Sequence, residues 1–478
     1  MKRIVFILLT ISLQYSTVHA QGMVHQIIKE RITSKKIPGM AFLIAKEGKV
    51  IEQGYYGKAN LETDTDVTNE SVFAIASMSK TYTAVAILLM AEKGLVDLND
   101  TITKYIPEAP DSWGLITIKH LLTHTSGLVD DWALYDWNKS NQLFLQTQTG
   151  GLFLKHLFAQ ELLFKPGSSY SYSCGPFVLG LIIERVTGEH YGQFLKENIF
   201  VPLNLTETYV DNPYKIIPNR VSGYFNYDSN TLNSGVSGLG NGLLIAPNAY
   251  GRADVGIRTT TMDAMKFYNA LLYNELISEP SKKIIFEPST LNNGEFVPTG
   301  AGLMNWPLGG IAISEHSGGF RTGFSSQVIV IPKHRFVVIV LSNLYGGANF
   351  SLAQEIASVY YPQLQQLSNK TPVTDEETKL TNIHLNFFQN INSNQENENV
   401  SKSFPFSYHS KKVKESISKT KSIVYLGEKN IQKEEVIFFN EKIHTLKYYR
   451  LNSIKTLFTT VYLDENDSIV FFDYPETE

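Results

Sequence analysis

The sequence contains a single cysteine, Cys174, among its 478 residues. One thiol forms no disulfide within the chain and supplies no cysteine-based zinc cluster, so the fold must be stabilised by packing alone. With 43% hydrophobic and 18% charged residues, the composition is that of a globular protein. The length suits about two or three domains.

The sequence also lacks an excess of charge of one sign. It has 42 lysine and arginine residues against 46 aspartate and glutamate residues, which gives a formal net charge of −4. Proteins that bind nucleic acid or an anionic membrane surface through charge carry a basic patch. The charge balance gives no sign of one, so we expect no nucleic-acid partner.

The apolar run at the N-terminus is too short to span a bilayer, which requires about 20 residues. The segment MKRIVFILLTISLQYSTVHAQG has two basic residues, an apolar run from Ile4 to Leu13, and a small-residue cleavage site that ends at Ala20. This pattern predicts a signal peptide over residues 1–20 and a secreted or periplasmic protein that starts near Gln21. An uncleaved membrane anchor is the alternative, and the short apolar run disfavours it.

Strand-like and helix-like patterns occur in separate blocks along the chain. Residues 39–57 contain two apolar strand-like runs around Glu47-Gly48, and residues 325–343 contain two more around a turn at Pro332–Arg335. The periodicity between these blocks is helical. Strands at both ends with helices between them predict one sheet assembled from distant segments beside a helical insertion, which is an α+β arrangement.

Polar segments separate a second domain from the first. Residues 368–380 are polar, and residues 390–399 are rich in asparagine and glutamate, which indicates a linker and a mobile loop. Short strand-like runs then follow to residue 474, with a turn at residues 464–467 and one helix over residues 381–390. We therefore predict three parts after the signal peptide: a first domain over residues 21–365, a linker and mobile loop over 366–403, and a small β-rich α+β domain over 404–478, with a start near residue 380 as the alternative.

Ser77 and Lys80 stand at the start of the almost purely apolar segment IASMSKTYTAVAILLMAEKG, which predicts a helix buried on all sides. A separation of three residues places both side chains on one helix face. Serine is a weak nucleophile without a base, and a lysine becomes a base when desolvation lowers its pKa. The same spacing recurs twice in the polar stretch of residues 415–421, which we interpret as solvated surface. The spacing alone is therefore weak evidence for catalysis.

Two further stretches carry groups suited to the same chemistry. KPGSSYSYSCGPFVLG places Tyr170 and Tyr172 on a loop before a helix, and EHSGGFRTGFSS places His316 on a strand ahead of a hairpin. With these motifs the chain resembles the serine β-lactamase-like and penicillin-binding hydrolases, the group of class C β-lactamases, D,D-peptidases and esterases. That family uses Ser-x-x-Lys, Tyr-x-Asn, and Lys-Thr-Gly or its His-x-Gly variant, in this order. The resemblance extends through most of residues 37–361 and implies a β-lactamase/transpeptidase-like fold, an antiparallel sheet flanked by helices with a helical subdomain.

The resemblance also implies roles for single residues. Ser77 would be the acylated nucleophile, Lys80 the base that activates it, and Tyr172 the group that passes a proton to the leaving group. His316 would lie where a lysine usually flanks the substrate carboxylate. The main-chain N–H groups of Ser77 and Gly319 would form an oxyanion hole. The other residues implied to bind the substrate are Cys174, Ser317 and Gly318.

The second motif departs from the family pattern, because Tyr172-Ser173-Cys174 replaces Tyr-x-Asn and the run into the next helix is one residue short. Aligned from the Pro-Gly side, Tyr172 is the catalytic tyrosine. Aligned from the helix side, Ser171 takes its place and Ser173 replaces the asparagine. We adopt the first alignment because it keeps the base. Cys174 then replaces an amide with a weak hydrogen-bonding thiol, or is simply a small buried apolar residue.

Three other features of the sequence bear on metal binding, on the fold and on the shape of the cleft. His120 and His124 are four residues apart, but the segment lacks the glutamate of a zinc-protease helix, so we expect no metal and no cofactor. A Gly-x-Ser-x-Gly elbow is absent, which argues against an α/β-hydrolase fold. An acidic and aromatic cluster over residues 130–137 is either a lip over the cleft or a packed loop.

The sequence therefore predicts a serine hydrolase that forms an acyl-enzyme on Ser77. Its candidate substrates are D-amino-acid peptides, small esters and β-lactams. Histidine in the third motif disfavours an efficient β-lactamase, because a mostly neutral histidine is a poorer carboxylate anchor than lysine at pH 7. The alternative, suggested by Cys174, is a catalytically weak or inactive protein that binds a ligand or a cell-wall peptide. In either case the C-terminal domain would bind a protein partner or form a dimer.

Overall fold

The structure is a computed structural model. It describes residues 22–130, 150–212, 214–227, 238–242, 252–320, 322–348, 350–365, 370–393, 399–401, 411–431, 437–438, 441–453, 456–472 and 476–477. The predicted signal peptide, all but the first residue of the acidic and aromatic cluster, and much of the predicted mobile loop lie outside the described residues.

The main sheet is formed by seven strands, numbered along the chain as β1 (Gly39–Lys46), β2 (Lys49–Asn60), β3 (Thr65–Asp66), β11 (Met304–Leu308), β12 (Ile311–Phe320), β13 (Phe324–Ile331) and β14 (Phe336–Ser342). Their spatial order is β11-β12-β13-β14-β1-β2-β3, and neighbouring strands are antiparallel. The pairing of β1 with β14 runs from Met40 opposite Ser342 to Lys46 opposite Phe336. This confirms the prediction of one sheet assembled from distant segments.

Helices cover both faces of this sheet, which explains why β13 and β14 are buried along their whole length. On one face the apolar core includes α2 (Ser79–Glu92), α5 (Gly175–Thr187) and α7 (Thr261–Leu272). On the other face it includes α1 (residues 22–35) and α9 (Phe350–Tyr360). The remaining helices of this unit are α3 (Ile118–Leu122), α4 (Gly150–Phe158), α6 (Tyr191–Leu195) and α8 (Glu279–Phe286).

Short strands and turns connect the helices near the site. A three-stranded sheet has the order β4 (Phe73–Ala74), β8 (Ile257–Thr259) and β5 (Tyr209–Val210). Two further pairs are β6 (Tyr224–Tyr227) with β7 (Gly238–Asn241), and β9 (Ser289–Thr290) with β10 (Phe296–Val297). A π-helical turn, Lys196–Phe200, continues α6.

The second unit is a helix packed on a curved antiparallel sheet. Its helices are α10 (Thr378–Asn390) and α11 (Lys411–Ile417). Its strands are β15 (Ser422–Asn430), β16 (Ile437–Phe438), β17 (Glu441–Lys442), β18 (Thr445–Asn452), β19 (Thr456–Leu463), β20 (Ile469–Phe472) and β21 (Glu476–Thr477). The sheet order is β15-β18-β19-β20, with β21 also paired to β19.

Helix α10 lies inside the range that the sequence assigns to the linker. Its residues Phe387 and Phe388 are buried in one apolar cluster with Tyr449 and Leu451 of β18. Because α10 packs on the second sheet, we propose that this domain starts near residue 380, the alternative start predicted from the sequence.

The second unit lies against the edge of the main sheet formed by β11. Trp306 and Met304 of β11 pack in one apolar cluster with Leu446 and Tyr462. The hydroxyl of Tyr462 also donates a hydrogen bond of 2.9 Å to the carbonyl oxygen of Pro307. The outer strand is thus covered, which removes an exposed sheet edge.

In the described part of the chain, we find no helix with the length and apolar character needed to cross a membrane.

Candidate active site

The predicted nucleophile, Ser77, lies in a 3-10 turn, Ala76–Met78, that leads directly into α2. Ala76 has a backbone φ of +45°, a left-handed conformation that residues with a side chain rarely adopt. Every residue of α2 from Ser79 to Met90 is buried, which confirms the helix predicted to be buried on all sides. The hydroxyl group of Ser77 is therefore presented at the N-terminal end of a rigid core helix.

The main sheet lies directly against this turn. The Oγ of Ser326 on β13 donates a hydrogen bond of 2.7 Å to the carbonyl oxygen of Ile75. Gly318 on β12 approaches the same carbonyl group, and a Cβ atom added at Gly318 would lie 2.1 Å from its oxygen. Only glycine permits this approach, because the contact is with backbone rather than with a movable side chain. The glycine of the third motif therefore allows β12 to lie beside Ser77.

Lys80 is buried beside Ser77, with 3% of its surface exposed. Its Nζ donates hydrogen bonds to the Oγ of Ser77 at 3.1 Å and to the carbonyl oxygen of Asp254 at 3.0 Å. The neighbouring Thr81 donates through Oγ1 to the carbonyl oxygen of Gly302 at 2.8 Å, which fixes the first turn of the helix. The serine and lysine predicted to act together are in direct contact.

The structure also brings Tyr172 to this pair. The Nζ of Lys80 lies 5.1 Å from the centroid of the Tyr172 ring. Burial raises the pKa of Tyr172 above its usual value, although the charge of Lys80 and the polar side chains of Ser77 and Lys80 near its hydroxyl group oppose the shift. At neutral pH the phenol is therefore protonated and is able to donate a proton.

His316 of the third motif closes another side of the same cluster. Its ring centroid lies 6.0 Å from that of Tyr172. Burial and the charge of Lys80 lower the pKa of His316 to about 4, against a smaller opposing effect of the hydrogen bond to Ser317. The Nδ1 atom lies 2.6 Å from the carbonyl oxygen of Ser317, so it carries the proton and donates it there. The imidazole is neutral at pH 7 and offers no positive charge to a substrate carboxylate.

Strand β12 extends beyond its outer neighbour. It pairs with β11 only from Ile311 to Glu315, whereas it pairs with β13 from Ser314 to Phe320. Over residues 316–320, no strand of the part of the chain that the structure describes pairs with the outer edge. This edge includes the predicted substrate-binding residues Ser317, Gly318 and Gly319. It is suited to an extended ligand that adds main-chain hydrogen bonds to a sheet.

The second motif places Cys174 away from the centre of this cluster. Its thiol, 1% exposed, donates to the carbonyl oxygen of Val129 at 3.0 Å, and the residue immediately precedes α5. Ser173 is fully buried, and its main-chain N–H donates to the Nδ1 of His124 at 3.1 Å. Because Tyr172 lies beside Lys80, whose Nζ is 5.1 Å from its ring centroid, we propose the alignment in which Tyr172 is the motif tyrosine.

A buried ion pair behind Lys80 is not apparent from the sequence. Arg252 and Asp254 are 6% and 1% exposed, and Arg252 Nε donates to Asp254 at 2.9 Å. Burial opposes ionisation of Asp254, but the charges of Arg252 and Lys80 hold its pKa below the usual value. The arginine also lies over the ring of Phe153, 4.2 Å from its centroid. This pair fixes the carbonyl group that binds Lys80, and the only sequence signal is its position just before GIRTTT.

The fold and this cluster of serine, lysine and tyrosine define a serine penicillin-recognising type of protein, and the chain belongs to the Beta-lactamase family. The model of that family matches residues 24–360. Among curated proteins, penicillin-binding protein 4* of Bacillus subtilis (strain 168) is 33% identical over 313 residues, which cover 63% of this chain and 67% of that protein. Other curated relatives are matched over 63% of their length, so the chain spans about two thirds of the relatives that it matches.

Two solved structures show the same fold. The octameric penicillin-binding protein homologue from Pyrococcus abyssi has a TM-score of 0.61 at 20% identity and covers 93% of this chain and 96% of its own. D-amino acid amidase from Ochrobactrum anthropi SV3, complexed with L-phenylalanine amide, has a TM-score of 0.59 at 21% identity and covers 72% of this chain and 98% of its own. At these identities the likeness concerns the fold alone.

Proposed function

We propose that this protein is a serine acyl hydrolase that forms and hydrolyses an acyl-enzyme on Ser77. The observation that carries the proposal is the hydrogen bond of 3.1 Å between Lys80 and Ser77, beside the ring of Tyr172, whose centroid lies 5.1 Å from the Nζ of Lys80. A nucleophile needs an adjacent base and a group that protonates the leaving group, and this cluster contains both types of side chain. The Beta-lactamase family, to which the chain belongs, and a fold neighbour named D-amino acid amidase support the reaction class.

The acylation step follows from the positions of these groups. In the reacting form of the site Lys80 is deprotonated, and its amine accepts the proton of Ser77 as the Oγ of Ser77 forms a bond to the substrate carbonyl carbon. The phenol of Tyr172 donates its proton to the leaving nitrogen or oxygen as that bond breaks, and Lys80 returns the proton to Tyr172. The net change is transfer of one proton from Ser77 to the leaving group. Water then attacks the acyl-enzyme by the reverse sequence of proton transfers.

The main-chain N–H groups of Ser77 and Gly319 are proposed to bind the developing oxyanion. Ser77 contributes from the start of a helix, where unpaired N–H groups and the helix dipole favour negative charge. Gly319 contributes from the open edge of β12. Such a donor typically contributes about 2.7–4 kcal/mol to the transition state.

The substrate class follows from the neutral state of His316. A lysine at this position would bind a substrate carboxylate, whereas an imidazole whose pKa is about 4 carries no charge at pH 7. We therefore favour substrates without a free carboxylate, D-amino-acid amides and small esters, over β-lactams and over peptides with a free C-terminal carboxylate. The solved D-amino acid amidase of the same fold supports this order. We also propose that the protein is exported from the cytoplasm, on the basis of its N-terminal sequence.

Covalent labelling of Ser77 tests the proposal. Protein starting at Gln21 is incubated with a fluorophosphonate or, separately, a penicillin, and its intact mass is measured. We expect one adduct on the wild type, none on Ser77→Ala, and an unchanged adduct on Ser416→Ala, the matched control with the same Ser-x-x-Lys spacing in the second unit. A folded wild type that takes up neither reagent would contradict the proposal and favour a ligand-binding protein.

A further inference from the structure

His124 has a backbone conformation that histidine rarely adopts. Helix α3 ends at Leu122, and His124 follows with a φ of +56°. The N–H of Thr125 donates to the carbonyl oxygen of His120 at 3.0 Å, which closes a helix end of the type that usually has glycine or asparagine at this position. A histidine in this left-handed conformation has a strained backbone, and such strain is concentrated at functional sites.

His124 contacts three consecutive residues of the loop that contains Tyr172. The carbonyl oxygen of His124 accepts the N–H of Ser171 at 3.0 Å, and its Nδ1 accepts the N–H of Ser173 at 3.1 Å. Its ring stacks on the ring of Tyr172, with the centroids 4.6 Å apart and the planes 26° apart. Three consecutive loop residues are therefore bound by the main chain, the ring face and the ring nitrogen of His124.

The ring of His124 is neutral. It is 2% exposed, and burial together with the charges of Lys80 and His316 holds the pKa of His124 well below its usual value. Since Nδ1 accepts the N–H of Ser173, the single ring proton resides on Nε2. Tyr170 packs edge-on to the His124 ring, with ring centroids 6.4 Å apart, and donates its hydroxyl group to the Sδ of Met304 at 3.7 Å. The ring therefore contacts two tyrosines.

We propose that His124 is a positioning residue that holds the ring of Tyr172 beside Lys80 and so sets the position of the Tyr172 hydroxyl group. It does not touch the nucleophile in this role and acts only through Tyr172. The inference rests on the proposed function, because it concerns the same proton transfer. It explains why a strained backbone position carries a histidine, since glycine or asparagine would relieve the strain but remove the ring that stacks on Tyr172.

A double-mutant cycle tests the proposal. His124→Asn suits the left-handed backbone and removes the ring, and it is combined with Tyr172→Phe. We measure kcat and KM for a small ester and the rate of fluorophosphonate labelling of Ser77. We expect His124→Asn to lower kcat about 10–100-fold in the wild type with KM changed less than about threefold, as small displacements of catalytic groups do. In the Tyr172→Phe background we expect less than about a threefold further loss.

His120→Asn is the matched control. His120 lies on α3, the helix that ends just before His124. Its Nδ1 accepts the N–H of Thr117 at 3.2 Å at the start of α3, so we expect unchanged kinetics. Equal loss from His124→Asn in both backgrounds would overturn the inference, and so would wild-type rates in His124→Asn. A folded wild type that is never labelled would instead contradict the proposed function itself.

A measurement on the unsubstituted protein covers the case in which His124→Asn fails to fold. Nitrogen-15 NMR of the histidine rings should show His124 as the neutral tautomer with Nε2 protonated at pH 7. Its signals should shift when Ser77 is labelled, because the label displaces Tyr172. An imidazolium at pH 7, or signals that do not respond to labelling, would overturn the inference.

Discussion

Each unit of the molecule buries one lysine against a tyrosine ring, and the two lysines have different surroundings. Lys80 lies 5.1 Å from the ring centroid of Tyr172, and Lys447 lies 5.4 Å from that of Tyr425. Lys80 donates to the hydroxyl of Ser77, whereas Lys447 forms ion pairs with Glu377 at 2.5 Å and Glu428 at 2.6 Å. Burial alone thus does not distinguish a reactive lysine from a structural one.

The difference lies in what each charge contacts. Burial lowers the pKa of Lys447, but the hydrogen bonds to its two glutamates outweigh burial and leave the pKa raised. A lysine held in this way stays protonated and fixes Glu377, which precedes α10, to the sheet of the second unit. Lys80 instead donates to the hydroxyl group of Ser77 and lies beside the ring of Tyr172, and the function proposed above assigns it the exchange of protons with both groups. Substitution of each lysine should therefore affect different properties.

Replacing Lys80 should have the largest effect on activity. We expect Lys80→Met to lower kcat/KM for a small ester by about 10³-fold, because the general base is lost. Its melting temperature should stay the same or rise, since an apolar residue of similar length avoids burying a charge. Ester hydrolysis and thermal unfolding measure the two effects. A variant that loses stability but keeps its activity would show that Lys80 is structural.

The two tyrosines sharpen the comparison. We expect Tyr172→Phe to lower kcat about 10²-fold, because the phenol that protonates the leaving group is removed. Tyr425→Phe removes only a hydrogen bond to Glu428 in the second unit and should leave kcat unchanged. Both rates are measured on the same ester. Similar losses in both variants would mean that the second unit takes part in catalysis.

Each unit also buries a neutral histidine, and this predicts loss of stability in acid. Burial is the main cause that lowers the pKa of His384 to about 3, and it likewise lowers that of His316 to about 4. The unfolded chain binds protons near pH 6.5, so stability present at pH 7 is lost as the pH falls from about 6.5 towards 4. His384→Asn should reduce the drop in unfolding free energy between pH 7 and pH 5 by about 1–2 kcal/mol. An unchanged drop in this variant would contradict the assignment.

Replacing Lys447 should have the smallest effect. Glu377 and Glu428 are both substantially exposed, so water screens the ion pairs and solvates the carboxylates that remain. We expect Lys447→Met to lower the free energy of unfolding by about 1 kcal/mol and to leave kcat unchanged. Denaturant unfolding and ester hydrolysis provide the check. A loss of activity without a loss of stability would remove the distinction between the two lysines.

The sequence predicted the first lysine's surroundings because the signal is local. An apolar run behind Ser77 and Lys80 specifies a buried helix, and a spacing of three residues specifies contact along it. The hairpins at Glu47-Gly48 and Pro332–Arg335 were predictable for the same reason.

The rest of the site depends on contacts between distant segments. Asp254 binds Lys80 through its backbone carbonyl group, which no residue pattern reveals. The sequence places His124 four residues after His120 but does not show that its ring stacks on Tyr172. Likewise, the pattern of β11 shows that Trp306 is apolar but not that the second unit covers it. The hydrophobic periodicity of a sequence shows which face of a helix or strand is buried, but it does not show which other segment covers that face.

The most direct test of the account is the first turnover of a chromogenic small ester, followed on the millisecond-to-second scale. We predict a burst of product equal to about one equivalent of enzyme, followed by slower turnover, with a matching acyl adduct on Ser77 in quenched samples. Ser77→Ala should show neither burst nor adduct. Undiminished hydrolysis by Ser77→Ala would contradict the account, because the reaction would then proceed without the serine on which every proposed step depends.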